Sequence, residues 1–389
     1  MPENGDVLLL LGEYLASACL SNSTTVHNTL AELRRVFPGY KSTSVCFQNT
    51  AYGGIGVFAS RPISRGDLLL VEHPLISVPD VDLAASPYSQ TDGGDSLLIS
   101  EQIALSMTET IEKCFRTLYP IRTKSPDTLD VTIPADLETR LREVLPEDIN
   151  PKLLLRAVQL NSLGYYTFPE LVNYDDGLRF LAGTGIYKDA SMFNHSCNPN
   201  VNHYSIGDVT FVRALVDIDI GEELFISYIG RDLLVEAKSI RHDFLDGRDF
   251  ECACSRCSSP VESPDPWLEE LGVGTRVKLR LLKSHEDRIT YIERMLREHA
   301  YIDRDCKELK FALAREKGTT DPKLWSELPG MADVPVDFQD IVYRMHYLNT
   351  FGENQTVLQN IENSSQILLG SEFGTLSFIQ GLFRMTDFR

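Results

Sequence analysis

The first part of the chain has hydrophobic residues every three to four positions, which is the spacing of an amphipathic helix. We expect two short helices over residues 6–36, one in "VLLLLGEYLASACL" and one in "VHNTLAELRRVF". From Ser44 the pattern changes to short β-rich runs punctuated by glycine, in "SVCFQN", "GIGVFAS" and "DLLLVEHPLISV". Such runs predict strands. A helical N-terminal cap over residues 1–43 therefore precedes a sheet-forming region.

A second helical pattern lies in "LLISEQIALSMTETIEKCF". Five apolar residues fall on one stripe there: Ile99, Ile103, Met107, Ile111 and Phe115. We interpret the stripe as core rather than as a cofactor contact, and residues 79–96 before it as a loop. Another helix is predicted to begin at Asn150-Pro151, because asparagine is a favoured N-cap and proline suits the first helical position. Its apolar pattern continues through "KLLLRAVQLNSLGYY".

The last third of the chain is predicted to be helical. β-like segments return in "DVTFVRAL" and "ELFISY", but after about Pro260 the pattern is mostly that of amphipathic helices, as in "TRVKLRLLKSHEDRITYIERML". We find no internal repeat in this region. The proline-rich stretch "SSPVESPDP", residues 258–266, is the best candidate for a boundary.

Charge narrows the choice of partners. The 389 residues include 37 Lys and Arg against 56 Asp and Glu, a formal net charge of −19. An acidic surface repels nucleic acid phosphates and favours basic peptides or proteins. The longest apolar run, Val7 to Leu20, is interrupted by Gly12 and Glu13 and is shorter than the roughly 20 residues that span a bilayer. The acidic start "MPENGD" is unlike a secretory signal. We therefore expect a cytoplasmic or nuclear protein with no membrane or nucleic acid partner.

The cysteines are clustered. "CACSRC" places Cys252, Cys254 and Cys257 within six residues. Three thiolates can occupy three corners of a tetrahedral zinc site, and a structural site normally has a fourth ligand. Cys197, in "SMFNHSCNPN", is the natural donor, because the remaining cysteines lie singly among apolar neighbours. The alternative is that these are free cysteines in a loop.

Three further signals are weak when taken singly. Gly54 and Gly56 in "GGIGVFAS" would allow a ligand to approach the backbone closely, but a plain β-turn explains them as well. Asn161 lies on an otherwise apolar helix, where a surface position or a core hydrogen bond is the default interpretation. Tyr228, at the end of the "ELFISY" segment, would ordinarily be a packing residue.

These signals occur in one order along the chain, and the order resembles the SET-domain protein lysine methyltransferases. The resemblance covers about residues 44–258 and rests on "GGIGVFASRPISRGDLLLVEHPLI", "GTGIYKDASMFNHSCNPN", "DVTFVRALVDIDIGEELFISY" and "RDFECACSRC". Within the family it is most similar to the SET-and-MYND branch and its fungal relatives.

The resemblance implies an α+β fold in which a β-rich SET domain with knot-like topology carries a helical insertion. It implies a SET domain over residues 44–230, with its insertion at about 97–166, and a post-SET zinc-binding segment over 231–258. A helical C-terminal region over 259–389 would follow.

The resemblance also implies the site residues. Gly54 and Gly56 correspond to the backbone cradle for S-adenosylmethionine, Asn161 to a side chain that hydrogen-bonds it, and Phe250 to the aromatic that packs on its adenine. Asn194 and His195 would contact its amino-acid portion. Tyr228 corresponds to the catalytic tyrosine and also contacts the cofactor. A structural zinc ion would be held by four cysteines: Cys197, Cys252, Cys254 and Cys257.

The sequence departs from the family pattern in three places. Between Pro74 and Ile99, where the related branch inserts its MYND finger, there is no cysteine. Leu163 and Arg248 occupy two positions where that branch typically has aromatic residues lining the lysine channel, and Tyr165 or Tyr166 would have to compensate. No repeat identifies the C-terminal region with the helical domain of that branch.

The implied function is methyl transfer from S-adenosylmethionine to a lysine side chain of a basic protein, such as a histone tail or a non-histone protein. The alternative is a zinc-stabilised SET-type binding or regulatory module that has lost turnover, because Leu163 and Arg248 alter the channel. The substrate and the number of methyl groups stay open.

Overall fold

The computed structural model describes most of the first two thirds of the chain and parts of the last third. The described residues are 23–50, 54–118, 126, 129–166, 182–234, 238–258, 282, 284–298, 341, 345, 355–373 and 375–386. The first predicted helix, over "VLLLLGEYLASACL", lies outside them, as does residue 259 onward of the predicted boundary stretch.

The second predicted N-terminal helix is confirmed as α1, Ser23–Val36. Its buried residues Val26, Leu30 and Leu33 recur at helical spacing, so one face of α1 packs on the rest of the protein. Arg34, on the last turn, forms an ion pair with Asp208, whose side chain is fully buried. The helix is thus attached to the sheet by both apolar packing and a buried charge pair.

The predicted strands are present, and they form three small sheets. In chain order the strands are β1 Tyr40–Lys41, β2 Val45–Asn49, β3 Ile55–Ala59, β4 Leu68–Glu72, β5 Ile76–Pro79, β6 Ser162–Tyr166, β7 Ala182–Ile186, β8 Asn194–His195, β9 Val201–Ile206, β10 Val209–Ala214 and β11 Glu223–Ile226. The sheets have the strand orders β1-β4-β10-β9, β2-β3-β11-β8 and β5-β7-β6. Every β10 residue is buried, as expected for a central strand.

One strand pair matters most for the site. β8 pairs in parallel with β11, with Asn194 opposite Phe225 and His195 opposite Ile226. The side chain of Asn200 strengthens the junction, because its Nδ2 donates to the Glu223 carbonyl at 2.8 Å and its Oδ1 accepts from the Phe225 N–H at 2.7 Å. Residues 194–200 therefore lie fixed along β11.

Five of the described helices pack against the third sheet. They are α2 Asp80–Ala85, α3 Gly94–Ser106, α4 Glu109–Phe115, α5 Ala135–Val144 and α6 Pro151–Asn161. Their apolar faces form one cluster with β5, and the predicted stripe residues Ile99, Ile103, Ile111 and Phe115 are all buried in it. The prediction that this stripe is core is confirmed.

Three helix boundaries differ from the prediction. The expected single helix over 97–115 is broken, because Thr108 is extended and its side chain caps α4 by accepting from the Ile111 N–H. The expected loop over 79–96 contains α2, whose acidic first turn suits a helix N-terminus. The helix expected to run on through Tyr166 ends at Asn161, since the following residues pair with β7 as β6.

The remaining described α-helices follow β11. They are α7 Arg231–Leu234, α8 Lys238–Leu245, α9 Ser255–Ser258, α10 His285–Glu298, α11 Gln355–Phe373 and α12 Leu376–Thr386. α10 confirms the described part of the predicted amphipathic helix. In α11 the backbone leaves helical geometry at Gly370, which has φ +80°, and a Cβ there would overlap the Arg213 guanidinium. Among the described helices, none is long and apolar enough to cross a membrane.

Candidate active site and metal centre

Asn194 lies at the centre of the first contact network. Its Nδ2 donates to Glu223 Oε1 at 2.7 Å and makes a longer contact of 3.4 Å with the Ile55 carbonyl. Burial raises the pKa of the Glu223 carboxyl, and the hydrogen bond from Asn194 opposes that shift. Gly56 borders the pair so closely that a Cβ there would overlap Glu223 Oε1. The network therefore requires glycine at position 56.

His195 lies between Tyr228 and the cysteine cluster and contacts both. Its Nδ1 accepts from the Tyr228 backbone N–H at 3.0 Å, and its Nε2 lies 3.3 Å from Cys197 Sγ. Burial lowers the pKa of the imidazole to about 4, so the ring is neutral at physiological pH. Because Nδ1 is an acceptor, the ring proton is assigned to Nε2, which donates to the sulfur.

Three rings form an aromatic cluster beside this histidine. The ring centroids of His195 and Tyr228 are 5.4 Å apart, and Phe250 lies 6.1 Å from the first and 6.2 Å from the second. The Tyr228 hydroxyl donates to the Phe193 carbonyl at 2.7 Å. Burial raises the pKa of this phenol to about 12, which keeps it neutral. Phe250 is 40% exposed, so its ring presents a large apolar face to solvent.

Asn161 is held at the end of α6. Its side chain is buried and donates to the Ala157 carbonyl at 2.8 Å. This is the core hydrogen bond that is expected for a polar residue on an apolar helix. The last carbonyls of a helix have no partner within the helix. Here Arg248 Nη1 donates to the Leu160 carbonyl at 3.2 Å, and Ser191 Oγ donates to the Asn161 carbonyl at 2.7 Å. Contacts from two distant segments thus fix the end of α6.

Arg248 also covers the face of the catalytic-tyrosine candidate. Its guanidinium carbon lies 5.4 Å from the centroid of the Tyr228 ring, which is cation–π distance. Desolvation lowers the pKa of this arginine, and the positive charge of nearby Arg156 acts in the same direction. Arg156 is compensated by Asp249, at 3.0 Å. A cation therefore stands next to Tyr228.

Three other residues are candidates for the lysine channel, Leu163, Tyr165 and Tyr166, and their surroundings differ. Leu163 is partly buried and packs against the core cluster that also contacts Tyr228. Tyr165 is buried, and its ring lies directly against Gly183, where a Cβ would overlap it. The side chain of Tyr166 is outside the described residues. The structure thus packs Tyr165 onto the β5-β7-β6 sheet, and its compensating role in a channel stays a prediction.

The four predicted metal ligands come together. The Sγ atoms of Cys197, Cys252, Cys254 and Cys257 all lie within 4.8 Å of one another. Zinc–sulfur bonds of about 2.3 Å in a tetrahedron place the sulfurs about 3.8 Å apart. The Cys197–Cys252 and Cys197–Cys257 sulfur distances are 3.9 and 3.7 Å. This geometry can hold a metal ion.

The surroundings of the thiols also suit a metal. The hydrogen bond to Cys252 raises the pKa of the Cys197 thiol, whereas hydrogen bonds from Cys197 and Cys252 lower that of Cys254. Cys254 is therefore the thiol that ionises most readily, while its neighbours resist ionisation because a second thiolate so close would repel the first. A divalent cation bound between the sulfurs would offset this repulsion and allow all of them to ionise. Buried Ile229, Leu234 and Leu245 pack around the sulfurs and exclude water.

The structure brings together most of the predicted site residues. Asn194, His195, Tyr228 and Phe250 are neighbours, Gly56 borders Asn194, and the four cysteines adjoin His195. Gly54 has φ +81°, a left-handed conformation that favours glycine, and its carbonyl accepts from the Thr50 N–H at 3.1 Å. Sequence reasoning missed Glu223. The motif "GEEL" was visible, but its contact with Asn194 depends on the register of β8 and β11.

Comparison with known proteins identifies the class. The family model of the SET domain matches residues 54–229. The chain therefore contains a region, residues 54–229, that matches the SET domain, and the strands and helices described above within these residues belong to it.

Its curated relatives specify the branch. This chain is 36% identical over 104 residues to the histone-lysine N-methyltransferase SMYD3 of Homo sapiens, covering 27% of this chain and 24% of that protein. It is 33% identical over 110 residues to the N-lysine methyltransferase SMYD2 of Homo sapiens, covering 28% of this chain and 23% of that protein. The chain is a relative of the SET-and-MYND branch, as the sequence predicts, and matches about a quarter of the length of these relatives.

A solved structure is also similar over a long stretch. The SET domain of LSMT bound to lysine and AdoHcy matches with a TM-score of 0.33 and 11% identity, covering 94% of this chain and 92% of that chain.

Proposed function

We propose that this protein transfers a methyl group from S-adenosylmethionine to a lysine side chain of a protein. The observation that carries the proposal is the convergence of Asn194, His195 and Tyr228, all within the matched SET domain, with Phe250, which follows that domain in the chain. The named activities of its relatives support the same class of reaction.

The residues present suit the proposed cofactor. Phe250 offers an exposed aromatic face for the adenine, and Asn194 presents an amide next to a carboxylate for the charged amino-acid portion. Gly54, Gly56, Asn161, His195 and Tyr228 complete the proposed binding set. When bound, S-adenosylmethionine supplies an electrophilic methyl group on a sulfonium.

Tyr228 and Arg248 act on the lysine amine that receives the methyl group. A phenol with a pKa of about 12 is a poor base at neutral pH, so Tyr228 orients groups by hydrogen bonding rather than by removing a proton. The lysine amine must be neutral to attack, and its ordinary pKa is about 10.4. The charge of Arg248 beside Tyr228 disfavours an ammonium there, which favours the neutral amine. The proton then leaves to solvent.

The proposed metal is a structural zinc ion bound by Cys197, Cys252, Cys254 and Cys257. It would tie the segment that carries Phe250 to the segment that carries Asn194 and His195. Its contribution is therefore to hold the two halves of the cofactor site together.

A second candidate function is supported by one observation. Arg248 covers the Tyr228 ring and caps α6, and Leu163 replaces an expected aromatic. A cation fixed at this position could repel the acceptor ammonium strongly enough to leave a SET-type module that binds its cofactor or a peptide without turnover. The acidic balance of the chain, −19, suits a basic protein partner for either function.

The test is transfer of labelled methyl from S-adenosylmethionine to purified histones and to cell-extract proteins. The native protein, Tyr228→Phe and Tyr40→Phe are compared, because Tyr40 is an exposed tyrosine away from the site. We expect a labelled protein band whose rate falls by about 100-fold or more in Tyr228→Phe and is unchanged in Tyr40→Phe.

Two outcomes would contradict parts of the proposal. Full activity of Tyr228→Phe would remove Tyr228 from the catalytic role. Calorimetric binding of S-adenosylmethionine without any labelled product, in both the native protein and Arg248→Leu, would favour the binding-module candidate. If the native protein is inactive and Arg248→Leu is active, the guanidinium of Arg248 is the cause of the inactivity.

A further inference from the structure

Glu223, the second glutamate of "GEEL", has its carboxylate aimed at the Asn194 side chain. Glu223 Oε1 accepts from Asn194 Nδ2 at 2.7 Å, and the same nitrogen makes the 3.4 Å contact with the Ile55 carbonyl. Two protein acceptors thus face the NH₂ end of the Asn194 amide. This arrangement fixes the orientation of the amide and directs Oδ1, an acceptor, away from Glu223.

The strand pairing explains why this contact is rigid. Asn194 lies opposite Phe225 in the parallel β8–β11 pair, and Glu223 lies opposite Phe58 in the antiparallel β11–β3 pair. Asn194 and Glu223 therefore project from neighbouring strands of one sheet. Because sheet register fixes their separation, the contact does not depend on a loop conformation.

Gly56 provides independent support for the importance of the contact. A Cβ at this position would overlap Glu223 Oε1 and would lie 2.9 Å from Asn194 Nδ2 and 2.8 Å from Thr50 Cγ2. The backbone of β3 thus approaches the carboxylate and the amide at once. Glycine at position 56 preserves this pair, in addition to any approach of a ligand.

We propose that Glu223 is a positioning residue for the cofactor's ammonium group. By holding Asn194 Nδ2, it presents Asn194 Oδ1 as the acceptor for that ammonium. This inference rests on the cofactor-binding half of the proposed function. It assigns Glu223 a role that acts through Asn194 rather than through direct chemistry.

The test compares two ligands by calorimetry on the folded full chain. One ligand is S-adenosylhomocysteine, and the other is its deamino analogue, in which hydrogen replaces the amino group. The variants are Glu223→Leu, which removes the acceptor, and Glu223→Gln, which keeps an amide oxygen at the same reach. Glu222→Leu is the control, because it removes the neighbouring exposed glutamate and the same charge.

We expect Glu223→Leu to weaken S-adenosylhomocysteine binding by about tenfold or more, the effect of losing one charge-assisted hydrogen bond. Binding of the deamino analogue should change by less than about threefold in the same variant. Glu223→Gln and Glu222→Leu should bind both ligands within about threefold of the native protein. Glu223→Asp should reproduce the selective loss, because its shorter side chain withdraws the carboxylate from Asn194 Nδ2.

Other results would overturn the inference. Equal weakening of both ligands in Glu223→Leu would show a general structural role, and unchanged affinity for both would show no role. If Glu223→Leu fails to fold, as measured by circular dichroism, the Glu223→Asp comparison decides between these outcomes. A native protein that binds neither ligand would refute the cofactor site itself, and with it the proposed function.

Discussion

The buried ion pair between Arg34 and Asp208 offers a direct test of how the N-terminal helix is held. Arg34 donates through Nε to Asp208 Oδ1 at 3.1 Å and through Nη2 to Oδ2 and to Ser77 Oγ. Ser77 Oγ in turn donates to Asp208 Oδ2 at 2.7 Å. The Asp208 side chain is 0% exposed and that of Arg34 is 35% exposed. Arg34→Met would leave a buried carboxylate with only part of its compensation.

The magnitude follows from that burial. Removing one partner of a buried pair costs about 3–5 kcal/mol, because the other charge is left unpaired. Ser77 continues to donate to Asp208, so we expect the lower end, about 3 kcal/mol of unfolding free energy. The matched control is Arg35→Met on the same helix. Arg35 and its partner Glu32 are 73% and 50% exposed, and such a surface pair is worth less than about 1 kcal/mol.

The assay is urea denaturation followed by circular dichroism, with the midpoint compared at constant slope. Arg34→Met with Asp208→Asn completes a double-mutant cycle, and we expect a coupling of at least about 1 kcal/mol, because the neutral amide no longer needs the arginine. Equal costs for Arg34→Met and Arg35→Met, or additive effects in the cycle, would refute the assignment of a buried pair.

Two further predictions concern a carboxyl and the thiols. Burial raises the pKa of Glu72 to about 7 from 4.5, so the folded state retains a proton that the unfolded state releases. The resulting stability, on the order of 3 kcal/mol, is fully present below the unfolded pKa and lost as pH rises through about 7. Glu72→Gln should therefore flatten the decline in unfolding free energy between pH 5 and 7.5, and an unchanged slope would contradict this. For the thiols, metal analysis should find about one zinc per chain in the native protein and little in Cys254→Ser. A zinc-free native protein would exclude the proposed four-thiolate site.

The sequence was sufficient where one local pattern fixes one structure. The strands in "SVCFQN" and "GIGVFAS" and the core stripe of Ile99 and Ile103 follow from short-range periodicity. The thiol cluster was predictable for a different reason, because closely spaced cysteines leave few chemical alternatives. Local information sufficed for the strands, the stripe and three of the thiols, whereas Cys197, 55 residues before Cys252, was selected because the other cysteines lie singly among apolar neighbours.

The sequence was insufficient where the outcome depends on pairing across the chain. The same stripe fits one helix or two, and only the extended backbone of Thr108 divides it. Asn161 ends α6 because the next residues pair with β7, a partner that lies beyond residue 181. The Asn194–Glu223 contact joins residues that are 29 apart in the chain, so it depends on strand register rather than on either motif alone.

The cap that Arg248 places on α6 has a consequence for the order of synthesis. α6 and its Asn161 leave the ribosome long before Arg248, Phe250 and Cys257, the last of the four clustered cysteines, which arrive about a hundred residues later. A nascent chain that ends before Arg248 therefore lacks one side of the aromatic cluster, a helix cap and three of the four thiols. Domains generally fold as units during synthesis. Assembly of this site is therefore a late event, completed when the thiol-bearing segment docks.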